Sequence, residues 1–201
     1  MLSLQQVACM RGDRTLFSNL SFELQLGQWA HLKGANGSGK TSLLRLVAGL
    51  ARPVEGEIFW AGQPIGSVRE TYHADMIYLG HHEGVKEDLS ALENLQLGMA
   101  QDGTTLSDAE ALRALHAVGL KGREDLPVRV LSAGQKRRAL MSRLVAKRRA
   151  FWILDEPFNA LDVKGVEWLT QRIVEHVQTG GMVLLTSHQT IPLEGGQVVQ
   201  L

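Results

Sequence analysis

One cysteine in 201 residues leaves no internal disulfide, and Cys9 stands in no motif for zinc, thiol exchange or covalent haem attachment. An excess of one charge is missing too. The 21 basic and 21 acidic side chains cancel, which argues against a general electrostatic grip on nucleic acid or on an anionic membrane surface. No stretch approaches the roughly 18 apolar residues of a bilayer crossing, and residues 1–14 carry neither an apolar signal core nor a cleavage site. The chain is therefore expected to stay in the cytoplasm. Internal repeats, low-complexity tracts and linkers are also lacking. What remains, 44% hydrophobic and 21% charged, fits one soluble globular domain with room for a subdomain.

The first 65 residues read as strands. Apolar side chains alternate at Leu20, Phe22, Leu24 and Leu26 and again from Glu57 to Trp60, with turns at Gly12, Gly27 and Gly62. A short strand from Trp29 to Lys33 enters a glycine-rich loop, and Thr41 to Leu50 follows with Leu43, Leu44, Val47 and Leu50 at helical spacing. Met76 to Leu79 is a buried strand. From Asp88 to Gly119 the pattern is helical, with Ser107 and Glu110 spaced as a capping box, and residues 86–148 read as a helical insertion. Parallel-sheet character returns at Phe151 to Leu154 and Met182 to Leu185, joined by a helix with Val163, Val166, Leu169, Ile173 and Val177 on one side. A Gly195–Gly196 turn precedes one last short strand.

Gly34, Ala35, Asn36, Gly37, Ser38, Gly39, Lys40 and Thr41 fit G-x-x-x-x-G-K-[ST], with Ser42 after them, between a strand and a helix. Backbone N–H groups must converge on phosphate oxygens there, and glycine keeps Cβ atoms out of the way. Lys40 supplies a point charge to the β- and γ-phosphates, Thr41 a hydroxyl for Mg²⁺, and the helix its dipole. The strand from Phe151 to Leu154 ends in Asp155 and Glu156. Alternation sends these carboxylates in different directions, Asp155 toward the metal and Glu156 toward a water attacking the γ-phosphate.

Between the two motifs lies Leu131, Ser132, Ala133, Gly134 and Gln135, about twenty residues before the acidic strand. This segment resembles the signature of ATP-binding cassette (ABC) ATPases. Asn159 to Asp162 looks like that family's D-loop, and His188, at the end of a strand, is similar to its switch histidine. The resemblance covers nearly the whole chain. It implies an α/β P-loop NTPase with a mostly parallel core sheet, an antiparallel β subdomain and an inserted α-helical subdomain. The expected assembly is a head-to-tail homodimer in which residues 131–135 of one copy cover the ATP of the other. Glu156 and His188 become the catalytic pair, and ATP and Mg²⁺ the cofactors. The basic runs Lys136–Arg138 and Lys147–Arg149 are expected to be solvated helix faces, with Arg138 making structural contacts and no nucleic acid bound.

Two positions depart from the family pattern. His81 stands where a glutamine senses Mg²⁺ and the γ-phosphate, and an imidazole is a poor ligand for Mg²⁺. The His81–His82 pair reads as a variant of that loop or, alternatively, as a haem ligand. Arg11 falls near the place where an aromatic ring stacks on adenine. Leu89 to Leu95 looks like the turn that lies against a multi-spanning membrane subunit. Residues 152–158, LSAGQKRR, Gly80–His81 and the stretch from Gly180 to Gln189 resemble one branch of the family, the ATP-binding subunits of cytochrome c maturation. That branch implies a haem-handling export step powered from the cytoplasmic face of a bacterial inner membrane. The alternatives are an exporter of drugs, lipids or peptides, and a low-turnover nucleotide-gated scaffold.

Overall fold

A computed structural model of the chain describes residues 1–80 and 84–201. Strands β1 (Leu2–Arg11) and β2 (Arg14–Leu24) form a hairpin about Gly12, whose φ of 60° suits the turn. After β3 (Trp29–Lys33) and helix α1 (Lys40–Val47), strand β4 (Glu55–Trp60) pairs antiparallel with β1, and the short β5 (Gln63–Pro64) pairs with β4. The resulting sheet has the order β2-β1-β4-β5. Gly56, at φ 78°, sits where β1 bulges, and a Cβ there would collide with the carbonyls of Gln5 and Gln6.

Helix α2 (Arg69–Asp75) leads into β6 (Met76–Leu79), and helices α3 (Ala91–Gln101), α4 (Asp108–Ala117) and α5 (Ala133–Ala146) follow. The expected helical run from Asp88 to Gly119 is broken in two after Asp102, where Gly103 takes a left-handed φ of 72°. Ser107 and Glu110 form the anticipated capping box, and Ser90 with Glu93 forms a second one at the start of α3. Strand β7 (Phe151–Leu154), helix α6 (Val163–Gln178), β8 (Met182–Thr186) and β9 (Gln197–Gln200) complete the chain. These last strands join β3 and β6 in a five-stranded parallel sheet ordered β6-β7-β8-β3-β9.

Every residue of β7 and β8 is buried, because both faces of the parallel sheet are covered. Phe151, Ile153, Met182 and Leu184 face α1 and the antiparallel sheet. Trp152, Leu154, Val183 and Leu185 face Leu140 and Leu144 of α5 and Leu169 and Ile173 of α6. A third cluster joins α3, α4 and α5 through Leu95, Met99, Leu115 and Ala139. No helix among the described residues is long and apolar enough to cross a membrane. Strand order sets where a ligand can bind. With β8 between β7 and β3, the segments leaving all three carboxyl ends open into one crevice, where ligands of parallel α/β sheets bind.

Candidate active site at the carboxyl ends of the parallel strands

A cleft of about 300 Å³ lies there, lined by Arg11, Leu16, Asn36, Gly37, Gly39, Lys40, Thr41, Ser42, Asp155, Glu156, Asn159 and His188. The Gly34–Thr41 loop takes its shape from glycine. Gly37 and Gly39 have φ of 78° and 104°, and a Cβ on Gly34 would lie 2.5 Å from Ser38 Oγ. Lys40 is buried, and its Nζ donates to the carbonyls of Gly34 at 2.8 Å and Ala35 at 3.1 Å. Gly39 is the N-cap of α1 and offers no side-chain hydrogen bond, so the first amides of that helix are left for a ligand. Ser38 Oγ is buried without a partner among the described residues.

Asp155, 2% exposed, is held from two sides. Thr41 Oγ1 donates to its Oδ2 at 2.8 Å and Thr186 Oγ1 to its Oδ1 at 2.7 Å. Thr186 also accepts from the amide of Glu156 at 2.9 Å, so one hydroxyl at the end of β8 fixes both acidic positions. Among the described residues no group of three or more His, Cys, Asp or Glu is arranged to hold a metal ion. The Thr41 and Asp155 oxygens suit a hard cation that takes the rest of its shell from phosphate and water, as Mg²⁺ does.

Glu156 has φ 49° immediately before Pro157, a position that normally favours extended backbone. Such a conformation costs about 1–3 kcal/mol outside glycine and persists only where its surroundings enforce it. The effect is to point the carboxylate at the loop after β8, where its Oε2 accepts from the His188 amide at 3.1 Å. Its Oε1 lies 3.3 Å from His188 Nε2 but makes no hydrogen bond, and it is fully occluded. Glu156 and the half-exposed His188 imidazole both line the cleft, where a carboxylate beside the phosphate loop can act as a general base. His31 on β3, held below its ordinary pKa by burial, meets the carbonyl of Ser187, the residue before His188, at 3.2 Å.

Leu131 to Gln135 lies outside this cleft. Ser132 caps α5 through a complete box, Gln135 N donating to Ser132 Oγ at 3.3 Å and Ser132 N to Gln135 Oε1 at 2.9 Å. Ser132 and Ala133 are exposed, and behind them a Cβ on Gly134 would lie 3.0 Å from the carbonyl of Ala160. Asp162 caps α6 by accepting from Gly165 N at 3.0 Å, and the bond from Arg138 lowers its pKa. His81 lies outside the described residues.

The basic runs are solvated only in part: Lys147 and Arg148 are exposed and Arg138 makes the expected structural contact, but Arg137 and Arg149 are buried. Lys136 Nζ donates to Glu87 Oε1 at 2.9 Å, Arg137 is 5% exposed, and Arg138 pairs with Asp162. Arg149, 4% exposed, donates to the carbonyls of Ala74 and Asp102 and to Thr104 Oγ1. These cations tie loops to the helical layer, which counting charge along the chain could not reveal. Arg137 and Thr186 are among the site residues that sequence reasoning missed. A signal existed for each: Arg137 shares the apolar stripe of Leu140, Met141 and Leu144, and Thr186 is the one polar residue of β8.

The ABC transporter family model matches residues 17–159. The chain is 51% identical over 191 residues to the cytochrome c biogenesis ATP-binding export protein CcmA of Escherichia coli O157:H7, covering 95% of this chain and 90% of that protein. Among solved structures, a putative ABC transporter ATP-binding protein from Pyrococcus furiosus superposes with a TM-score of 0.84 at 22% identity, covering 100% of this chain and 96% of the other. A dimeric ATP-binding cassette in a post-hydrolysis state, bound to ADP and Pi, superposes with a TM-score of 0.82 at 22% identity, over 94% of this chain and 88% of the other.

Proposed function

This chain belongs to the ABC transporter family, and from that premise we propose that it is the ATP-hydrolysing subunit of an export complex serving cytochrome c biogenesis. ATP enters the Gly34–Thr41 loop. Lys40 exchanges the Gly34 and Ala35 carbonyls for the β- and γ-phosphates, and the uncapped amides of α1 surround them. Thr41 and Asp155 hold Mg²⁺, which supplies neutralising charge on the phosphate oxygens. The Glu156 carboxylate takes the hydrogen bond of the attacking water while His188 steadies it and faces the γ-phosphate.

Ser132–Gln135 closes the site from a second copy. The exposed N-terminus of α5 carries the partial positive charge that a γ-phosphate across an interface would meet. The homodimer sits at the cytoplasmic face of a bacterial inner membrane, docked on a multi-spanning membrane subunit, and its turnover drives haem export or release to a haem chaperone. The observation that carries the enzymatic reading is the Glu156–His188 pair in the wall of the same cleft as the glycine-shaped loop. The observation that carries the biological one is the 51% identity to the Escherichia coli export protein.

The test is haem staining of covalent c-type cytochromes in cells whose only copy carries Lys40→Ala or Glu156→Gln, with each protein confirmed by blot. Loss of the stained bands with b-type haem intact is expected. Normal bands would leave the ATPase in place and point to another cargo.

A further inference from the structure

Glu156 leaves β7 by a left-handed turn before a proline, and that turn aims three successive buried carbonyls at α5. Buried carbonyls need donors, and the side chain that meets them is Arg137. Its Nη2 donates to Glu156 O at 2.8 Å and Asp155 O at 3.1 Å, and its Nε to Pro157 O at 3.4 Å. Its Nη1 reaches Gly80 O, beyond the end of β6, at 3.4 Å. A rigid guanidinium fork can serve four carbonyls at once, whereas an ammonium on a flexible stem cannot hold the same directions.

The position of this residue along α5 gives it a second connection. Arg137 follows Ser132 by five residues, about 7.5 Å of helix rise, so the exposed cap and the catalytic turn are joined by little more than one rigid turn of helix. We propose that Arg137 is a positioning residue for ATP hydrolysis. It holds the backbone from which Glu156 projects, and it makes the aim of that carboxylate depend on where α5 stands. Engagement of Ser132–Gln135 by the nucleotide of a second copy then sets α5, and through Arg137 the carboxylate, in the hydrolytic arrangement. An α5 displaced from that place draws the carbonyls of residues 155–157 with it and turns Glu156 Oε1 away from His188.

This inference rests on the reading of Glu156 as the residue that polarises water, and the experiment separates the two. In the full chain, Arg137→Met keeps an apolar stem and removes every donor, while Arg137→Lys keeps the charge and loses the fork. ATPase rate, affinity for a fluorescent ATP analogue and ATP-dependent dimerisation are measured for both, beside Glu156→Gln. For Arg137→Met a fall of about a hundredfold in kcat is expected, the cost of misplacing a catalytic group by about an ångström. Nucleotide affinity should stay within about threefold of the parent, and the dimer should persist in ATP. Arg137→Lys should fall between parent and Arg137→Met. Parent kcat in Arg137→Met overturns the proposal, and so does a loss of nucleotide affinity in step with kcat, which marks a merely structural arginine. If Glu156→Gln itself turns over ATP at the parent rate, the reading of Glu156 is what has failed.

Discussion

Two helix N-termini divide this molecule, and they are built in opposite ways. Helix α1 opens on Gly39 with no side-chain cap, inside the cleft that Lys40, Asp155 and Glu156 also line. Helix α5 opens on Ser132 with a complete capping box, exposed and outside that cleft. The first leaves its orphan amides for a ligand bound by its own chain. The second spends the amides of Ser132 and Gln135 on its own box and presents the exposed Ser132 and Ala133 at its tip, which suits a ligand that its own cleft does not hold. On the proposed function, one half of the site is complete within the chain and the other half is a surface for a second copy.

Glu156→Gln, which keeps the shape and removes the proton acceptor, should have the largest effect. Turnover is expected to fall by about 10²–10⁴-fold, the usual worth of a general base, while ATP is retained. Light scattering should then find a dimer at saturating ATP, and a monomer would break the reading of α5 as a surface for a second copy.

Complementation tests the division directly. Lys40→Ala should weaken ATP binding by about tenfold to a hundredfold through the lost charge-assisted bonds, and Ser132→Arg should block the opposite surface without touching the loop. Each homodimer is expected to be inactive. A mixture of the two restores part of the parent turnover if each site draws its parts from both copies, because a mixed dimer then holds one site with both parts intact. No recovery on mixing would mean that both halves act within one chain.

The smallest effect concerns the scaffold that both ends share. His176 of α6 stacks on Trp152 of β7 with ring centroids 3.9 Å apart, and burial lowers its pKa from 6.5 to about 4. The folded state therefore resists protonation that the unfolded chain accepts. Stability from this group is complete above pH 6.5 and is lost as the pH falls toward 4. Thermal melts of His176→Phe should show a shallower decline than the parent as the pH falls from neutral through that window. An identical decline would remove His176 from the account.

Much of the site could be read from the chain because its chemistry is local. Gly34 to Thr41 must be contiguous for amides to wrap one phosphate group, and Asp155 and Glu156 must be adjacent to share the end of one strand. The contributions that escaped were long-range. Arg137 looked like one more cation in a basic run because its acceptors lie 18 to 20 residues away at the catalytic turn and 57 away beyond β6. Thr186 looked like a strand residue because Asp155, which it holds, is 31 positions earlier. The break between α3 and α4 was hidden for another reason. Both helices feed one apolar cluster, so the stretch read as one run, although Gly103 and the Ser107–Glu110 box mark a stop and a new start.

The glycine loop, the acidic strand end and the capped start of α5 were legible along the chain, since each depends on neighbours within about one turn or one strand. Long-range packing settled which carbonyls Arg137 satisfies, that Thr186 fixes two acids at once, and that Leu131–Gln135 lies outside its own cleft. The physical reason is strand order. Placing β8 between β7 and β3 brings three distant segments to one crevice, and α5 meets the turn after β7 through the guanidinium of Arg137.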